Sequence, residues 1–275
     1  MLRKIIVSLA CVVSSAAAWA DSSLIDAANN QMGIQTISTY VNYTETGFGR
    51  LGTRTGTLDT ETGPVPGVAV YLSTMSDWLF GNDYLEIEYA HSSGNTDYVG
   101  AYQGGIYGSV TQTSSAVFSD YSGRYGRGFK LGSASLWTPY LEWGQHTWER
   151  GVNYGETYTH RYSGIGLLQQ YGLGRHVVLA LNVLYGGTAD SFIVVNSGAN
   201  LTGFNAPLGN STFSKAGISF DYAFSHGLHA SLGIDYLAFD YGISATYAAG
   251  GGFVAWEPDS SSKYTIARFG LSQSF

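Results

Sequence analysis

Cysteine, proline and charged residues are all scarce in this sequence of 275 residues. It has one cysteine, Cys11, and five prolines, and charged residues make up 12% of the chain, about half the usual share. Beyond Cys11 the sequence therefore offers no disulfide, no thiolate metal site and no cysteine nucleophile. No stretch carries a sustained apolar stripe at helical spacing, which argues against a helical fold.

The beginning of the chain is typical of a secretory signal peptide. A positive start and a short apolar run precede Ala18 and Ala20, which frame a small-residue cleavage site before Asp21. The apolar run is too short to span a bilayer as a helix. We predict a signal peptide at residues 1–20 and one all-β domain at residues 21–275, since nothing in the composition of the latter indicates a linker.

Acidic residues outnumber basic ones after the predicted signal peptide. Removing Arg3 and Lys4 from the 13 basic residues leaves 11 against 20 acidic ones, so the net charge is 11 − 20 = −9. This balance argues against a nucleic acid or another polyanion as a partner. The 21 tyrosines, 13 phenylalanines and 6 tryptophans suit a wall that faces lipid and carries amphipathic rings at its rims.

Alternation of apolar and polar residues with period two dominates the chain. The clearest apolar faces run through residues 177–185 and residues 228–236. Each face is long enough for a tilted membrane strand, which needs roughly 9 to 11 residues. We predict a transmembrane antiparallel up-and-down β-barrel of about ten strands, with twelve or eight as alternatives. Twelve would require residues 98–110 to form a further membrane hairpin.

Short turns alternate with long connections between the predicted strands, as they do in membrane barrels. The predicted turns are residues 80–83, 138–139, 172–175 and 225–227. The predicted external loops are residues 46–66, 92–126, 151–156, 189–211 and 242–261. Because a closed hydrogen-bonded wall disfavours proline, we expect all the prolines to lie in connections. They are Pro64, Pro66, Pro139, Pro207 and Pro258.

The end of the chain resembles the closing strand of Gram-negative outer-membrane β-barrels. Phe275, Leu271, Phe269 and Ala267 share one face, although Gln273 is polar where that family usually has an apolar or aromatic residue. In that family the terminal phenylalanine is the signal that the barrel assembly machinery reads. The resemblance implies export to the outer membrane and contact with its lipid, its lipopolysaccharide and the assembly machinery. We expect no cofactor.

Along each strand, the residues that alternate with the lipid-facing apolar ones are predicted to face the interior of the barrel. Asp235 lies seven residues after its strand begins and Arg268 lies seven before the next one ends, so we predict an ion pair between them. Such a buried pair is more often structural than catalytic. Lys130 is predicted to lie near Glu86 and Glu88. The predicted interior set is Glu86, Glu88, Glu142, His146, Arg150, Lys215, Asp221, Asp235 and Arg268.

Two families of outer-membrane hydrolases provide enzyme hypotheses. His229 and Ser231 are similar to the His-x-Ser pair of lipid A deacylases, but Leu232 replaces the asparagine expected next. Omptin proteases use aspartate pairs and an Asp–His pair, and this chain contains no Asp-x-Asp or Asp-x-His. We therefore predict a protein without catalytic residues, and keep a hydrolase of either type as an alternative.

The richest polar and aromatic cluster flanks the third predicted loop. Its histidines and carboxylate could hold a metal or a sugar. We favour instead a wet rim with an aromatic girdle, built around His146, Arg150 and His160, and no metal. The cluster comprises Glu142, His146, Trp148, Glu149, Arg150, Tyr158, His160 and Tyr162.

Aromatic residues also crowd the predicted second, fourth and fifth loops. Exposed aromatics among small polar residues are typical of recognition surfaces, and the layout resembles that of small barrel adhesins. No binding motif is matched, so the partner of such loops stays unidentified. We expect a structural or surface barrel, or a small passive channel, with an adhesin as the alternative. The residues are Tyr98, Tyr102, Tyr107, Tyr121, Tyr125, Phe192, Ile193, Val194, Val195, Phe204, Phe253 and Trp256.

Overall fold

The computed structural model describes residues 22–48, 55–101, 105–199 and 202–275. The predicted signal peptide and its cleavage site lie outside the described residues. No helix in the described ranges is long and apolar enough to cross a membrane.

One short helix and fourteen strands make up the described chain. In chain order they are α1 (Ser22–Asn29), β1 (Gln31–Phe48), β2 (Thr55–Ser76), β3 (Asp83–Gly100), β4 (Val110–Arg127), β5 (Phe129–Lys130), β6 (Ser135–Arg150), β7 (Glu156–Leu173), β8 (Val177–Val195), β9 (Phe204–Pro207), β10 (Thr212–Ala223), β11 (Leu228–Tyr241), β12 (Tyr247–Gly250), β13 (Phe253–Ala255) and β14 (Asp259–Ser274). A 3₁₀ turn, Ser225–Gly227, joins β10 to β11.

Ten of these strands form a closed antiparallel barrel. Each long strand pairs with its neighbours in the chain, β8 pairs with β10, and β14 closes the circle on β1 through pairs such as Ile34↔Leu271. The short strands β5 and β9 pair only with the edges of β6 and β8, and β12 pairs with β13 apart from the wall. The predicted count of ten is confirmed. The described residues within 98–110 add no membrane hairpin, because β3 ends at Gly100 and pairs there with Val110, the first residue of β4, at the loop end of the wall.

The two ends of the barrel differ. The turn end carries α1, Phe275 and the short connections at residues 77–82, 128–134, 174–176 and 224–227. The loop end carries the remaining connections. The predicted turn at residues 138–139 is wrong, because these residues lie inside β6 and the chain reverses at residues 128–134 instead.

The wall is taller than the sequence predicts. Strands β1 to β4 occupy much of the predicted loops at residues 46–66 and 92–126, and β8 and β14 extend into two others. Strands of 16 to 22 residues exceed what a tilted membrane crossing needs. The sequence pattern does not predict the upper halves of these strands. Above the lipid their outward-facing side chains are polar, so apolar and polar residues no longer alternate there.

Four prolines lie in strands, against the prediction, three of them in strands of the barrel wall. Pro64 and Pro66 belong to β2, where they oppose β1 but sit in a gap of the β2–β3 ladder between Thr62↔Asp97 and Gly67↔Ser92. Since proline has no N–H, an interrupted ladder is where a strand accommodates it. Pro139 lies in β6 just beyond the last β4–β6 pair, Gly126↔Tyr140. Pro207 is the last residue of the short strand β9, and Pro258 lies in the connection between β13 and β14.

A band of exposed apolar side chains surrounds the middle of the wall and its turn end. We call it the apolar belt, and its residues alternate with inward ones along every long strand, as a lipid-facing barrel requires. It includes Met32, Ile34, Val68, Val70, Ile87, Leu141, Trp143, Ile165, Val183, Tyr185, Ile218, Phe220, Leu232, Ile234, Phe269 and Leu271.

Candidate functional site: the charged interior of the barrel

Helix α1 closes the turn end of the interior. Leu24 and Ile25 are buried in the core cluster inside the barrel. Asn29 donates from Nδ2 to Gln170 Oε1 at 2.9 Å, and Asn30 Oδ1 accepts the Met75 N–H at 2.9 Å. A cavity of about 170 Å³ lies directly above the helix. The helix therefore acts as a plug held by both apolar packing and hydrogen bonds.

Arg268 is the centre of one charge network in this cavity. Its Nε lies 2.6 Å from Asp235 Oδ2, so the predicted ion pair is present. Its two terminal nitrogens bind both oxygens of Glu88 at 2.9 and 3.1 Å, and Gln35 Oε1 accepts a further bond at 3.0 Å. A guanidinium that forms hydrogen bonds and ion pairs with several partners is what is expected of a buried charge with a structural role.

Arg124 is the centre of a second network, which the sequence reasoning missed. It lies 2.8 Å from Glu86 and 2.6 Å from Glu142. It was missed because its strand was assigned to a loop. The predicted place of Lys130 near Glu86 is wrong, since Lys130 Nζ lies 3.6 Å from Asp26 on α1 at the turn end.

A third network surrounds His229 near the turn end. His229 Nδ1 lies 2.6 Å from Asp221 Oδ1 and 3.0 Å from Gln31 Nε2. Ser272 donates to Gln31 Oε1 at 2.8 Å, which extends the network across the β1–β14 closure. Among the described residues no hydrogen bond joins His229 to Ser231. The pair therefore lacks the contact through which a histidine activates a serine.

His146 and His160 lie together in an aromatic layer above the charge networks. Their rings are 5.3 Å apart; Asp120 Oδ1 lies 2.5 Å from His146 Nδ1, and Tyr241 Oη lies 2.8 Å from His160 Nδ1. Only 3% of His146 and none of His160 is exposed. The wet-rim interpretation is therefore wrong, because the wall continues above these residues and aromatic side chains enclose them. Within the described ranges no cluster of three or more acidic, histidine or cysteine side chains is arranged to hold a metal.

Arg150 is buried higher still, apart from the two histidines. Its guanidinium contacts Glu61 at 2.8 Å, Glu156 at 3.0 Å, Glu45 at 3.2 Å and Asp59 at 3.8 Å. Its side chain is fully buried, so these carboxylates and one cation share a buried layer near the loop end. We call this group the Arg150 layer.

Aromatic rings and a fifth carboxyl complete the Arg150 layer. The guanidinium lies 4.4 Å from the ring centre of Tyr43 and 4.9 Å from that of Trp148. Tyr158 donates to Glu257 Oε1 at 2.5 Å. Burial, reinforced by neighbouring carboxylates, raises the pKa of Glu257 well above its usual value.

The acidic members of the Arg150 layer were not predicted. Asp59 and Glu61 fall in the predicted loop at residues 46–66, Glu45 directly precedes that loop, and Glu257 lies in a connection. The sequence does indicate where Glu45 lies. Tyr43 and Glu45 continue, with period two, the set of β1 side chains that face the interior of the barrel. Nothing in the sequence, however, places Glu257 beside Tyr158, because that contact joins residues 99 positions apart.

Most of the aromatic residues assigned to recognition loops are not displayed by loops. Tyr98, Ile193 and Val195 are buried, and Tyr121 and Tyr125 belong to the wall strand β4. Tyr107 is 42% exposed but shares a hydrogen bond with Thr60. Tyr102 lies outside the described residues. Tyr98, Tyr121, Tyr125, Ile193 and Val195 therefore belong to the long strands of the wall.

Solved structures with a similar fold are outer-membrane proteins. The outer membrane protease OmpT from Escherichia coli has a TM-score of 0.56 and 9% identity, with 89% of this chain and 95% of that chain covered. The transport unit of the autotransporter AIDA-I from Escherichia coli has a TM-score of 0.45 and 9% identity, covering 88% and 90%. The β-domain of the Bordetella autotransporter BrkA has a TM-score of 0.40 and 16% identity, covering 90% and 100%.

These comparisons define a fold class. No protein-family model matches the sequence, and no curated protein resembles it. The structure is a ten-stranded β-barrel of the kind found in Gram-negative outer membranes, which supports an outer-membrane location. A likeness to the protease structure at 9% identity shows the fold alone and assigns no activity.

Proposed function

We propose that this protein is a closed, non-enzymatic barrel with a structural or surface role in the outer membrane. The observation that carries the proposal is that the interior is filled at both ends, by α1 at the turn end and by the Arg150 layer at the loop end. Between them the described residues leave cavities of about 170 and 60 Å³. A passive channel needs a continuous wet path, and the packing at both ends supports a closed barrel instead.

Conductance in a planar bilayer tests the proposal. The purified full chain, shown to be folded by its heat-dependent gel migration, is expected to give no steady steps in salt solution. Steady, salt-dependent steps would contradict a closed barrel and establish the small passive channel. In that case Glu88, Asp235 and Arg268 would be the first residues to mutate for ion selectivity.

Assembly through the carboxy terminus belongs to the same proposal. Phe275 is 69% exposed at the turn end, where its backbone N–H is held by Asn30 O at 3.1 Å. Deleting Phe275 is expected to lower the amount of heat-modifiable barrel in outer membranes several-fold, whereas Ser274→Ala should not. Equal amounts from both variants would argue against recognition of the terminal aromatic by the assembly machinery.

A hydrolase is the second candidate. It is favoured by the likeness of the fold to an outer membrane protease and by the contact between Asp120 and His146. The imidazole is 3% exposed, beneath the Arg150 layer, so a substrate would need the loop end to open. Turnover of a peptide or lipid A substrate that disappears in His146→Ala but persists in His176→Ala, an exposed histidine, would replace our proposal.

A further inference from the structure

Two rows of side chains cross the outer wall between β4 and β8. In the first, Leu141 pairs with Tyr125 on β4 and with Ile165 on β7, and Ile165 pairs with Tyr185 on β8. The row thus has aliphatic residues in its middle and a tyrosine at each side. Because tyrosines extend farther from a wall than leucine or isoleucine, the row forms a trough.

The second row lies nearer the turn end and deepens the trough. Pro139 pairs with Leu167, and Leu167 pairs with Val183. These side chains are shorter than the flanking tyrosines, and the small ring of Pro139 projects least. The two rows line an open groove of about 710 Å³ whose surface is almost wholly apolar.

One end of the groove is basic and amphipathic. Arg127, the last residue of β4, lines the groove and is exposed. Its guanidinium lies 5.5 Å from the ring centre of Phe129, and its Nε donates to Gly81 O at 3.2 Å. Trp137, paired with Phe129, is 39% exposed beside it. Tryptophan and arginine at the edge of an apolar band are typical of the level where lipid headgroups lie.

We propose that this groove is a specific binding site for a diacyl phospholipid of the leaflet at the turn end. The acyl chains lie along the two apolar rows, and Arg127 binds the headgroup phosphate with its terminal nitrogens. Among the described residues that line the groove, Arg127 is the one cation, so it supplies the charge complementarity, and guanidinium groups bind phosphate oxygens well. A protein partner is disfavoured because the groove lies within the apolar belt, where lipid is the surrounding solvent.

Native mass spectrometry of the detergent-extracted full chain, titrated with phosphatidylglycerol, tests the site. One lipid is expected to stay bound to each wild-type barrel. Arg127→Gln should weaken its retention about tenfold, the order expected for losing one charge-assisted hydrogen bond. Val183→Trp should also weaken retention, because the added indole occupies part of the groove where an acyl chain would lie.

Two matched variants separate the site from general effects. Arg175→Gln removes another exposed arginine at the turn end that does not line the groove, and Ile234→Trp adds an indole to the belt on β11. Both should retain lipid as the wild type does. The proposal is overturned if all four variants bind alike, if the two controls lose lipid equally, or if lipid A is retained more strongly than phosphatidylglycerol.

Discussion

At the scale of single residues, the interior charges are expected to determine stability. Arg268 holds two carboxylates and an amide within the barrel, where an unpaired charge is costly. Arg161 and Asp190 form an ion pair of similar length, 3.0 Å, on the exposed surface. Comparing variants of these two arginines therefore distinguishes the stability contributed by a buried charge network from that contributed by a solvent-exposed ion pair.

Arg268→Gln is expected to lower the free energy of unfolding by about 3–5 kcal/mol, because Glu88 and Asp235 are left buried without their cation. Arg161→Gln should change it by no more than about 1 kcal/mol. Urea unfolding in phospholipid vesicles measures both. Equal small losses would mean that water already screens the interior network.

The raised pKa of Glu156 predicts that the local stability of the loop end depends on pH. Glu156 lies above the apolar belt, and burial, opposed in part by Arg150 and reinforced by Glu45, raises its pKa to about 7. Its folded-state pKa thus exceeds the unfolded value of about 4.3. The protonated form is the one the fold favours, so the contribution of Glu156 is fully present below that unfolded value and is lost as pH rises towards 7.

Local opening around residues 150–158 should therefore increase between pH 4.5 and pH 7, by up to about tenfold per pH unit. Amide hydrogen exchange, corrected for its intrinsic pH dependence, reports this opening. Glu156→Gln should reduce the dependence, leaving the part that Glu257 contributes, whereas Glu149→Gln, on the exposed face of β6, should leave it unchanged. A flat corrected profile in the wild type would show that Glu156 is ionised throughout.

At the scale of elements, α1 explains how a ten-stranded barrel is closed at its turn end. The helix has eight residues and would be marginal alone, so its stability comes from the apolar side chains it buries. Ile25, 3% exposed, is the most deeply buried of these, and Ser73 lines the cavity above the helix.

Ile25→Asp is expected to displace α1 and to admit water to the cavity. In a Cys11→Ser background, a Ser73→Cys reporter should react at least about tenfold faster with a charged thiol reagent when Ile25→Asp is present, since burying an unpaired carboxylate is unfavourable. Ser23→Asp, at an exposed position of α1, is the control. Equal reactivity in all three proteins would show that α1 does not limit access.

At the scale of the whole molecule, the apolar belt and the polar upper wall divide the barrel into a lipid-facing part and a part above it. Leu232 is 61% exposed within the belt, while Thr111 is exposed on β4 close to the loop end. Arginine at these two positions should therefore have very different costs, because only the first faces hydrocarbon.

Leu232→Arg is expected to destabilise the barrel in phospholipid vesicles by about 2–4 kcal/mol, and Thr111→Arg by less than about 1 kcal/mol. Refolding yield and urea midpoints in the same vesicles provide the comparison. If Thr111→Arg were as costly, the membrane would have to extend over the upper wall.

The sequence alone determined the barrel class, the count of ten strands and the inward phase of Glu86, Glu142 and Arg268. These follow from local periodicity, because alternation along a strand sets which side faces lipid. The tertiary structure decided the strand lengths above the membrane, the role of Arg124 and the assembly of the Arg150 layer. Those depend on contacts between distant strands and on burial, which no local pattern encodes.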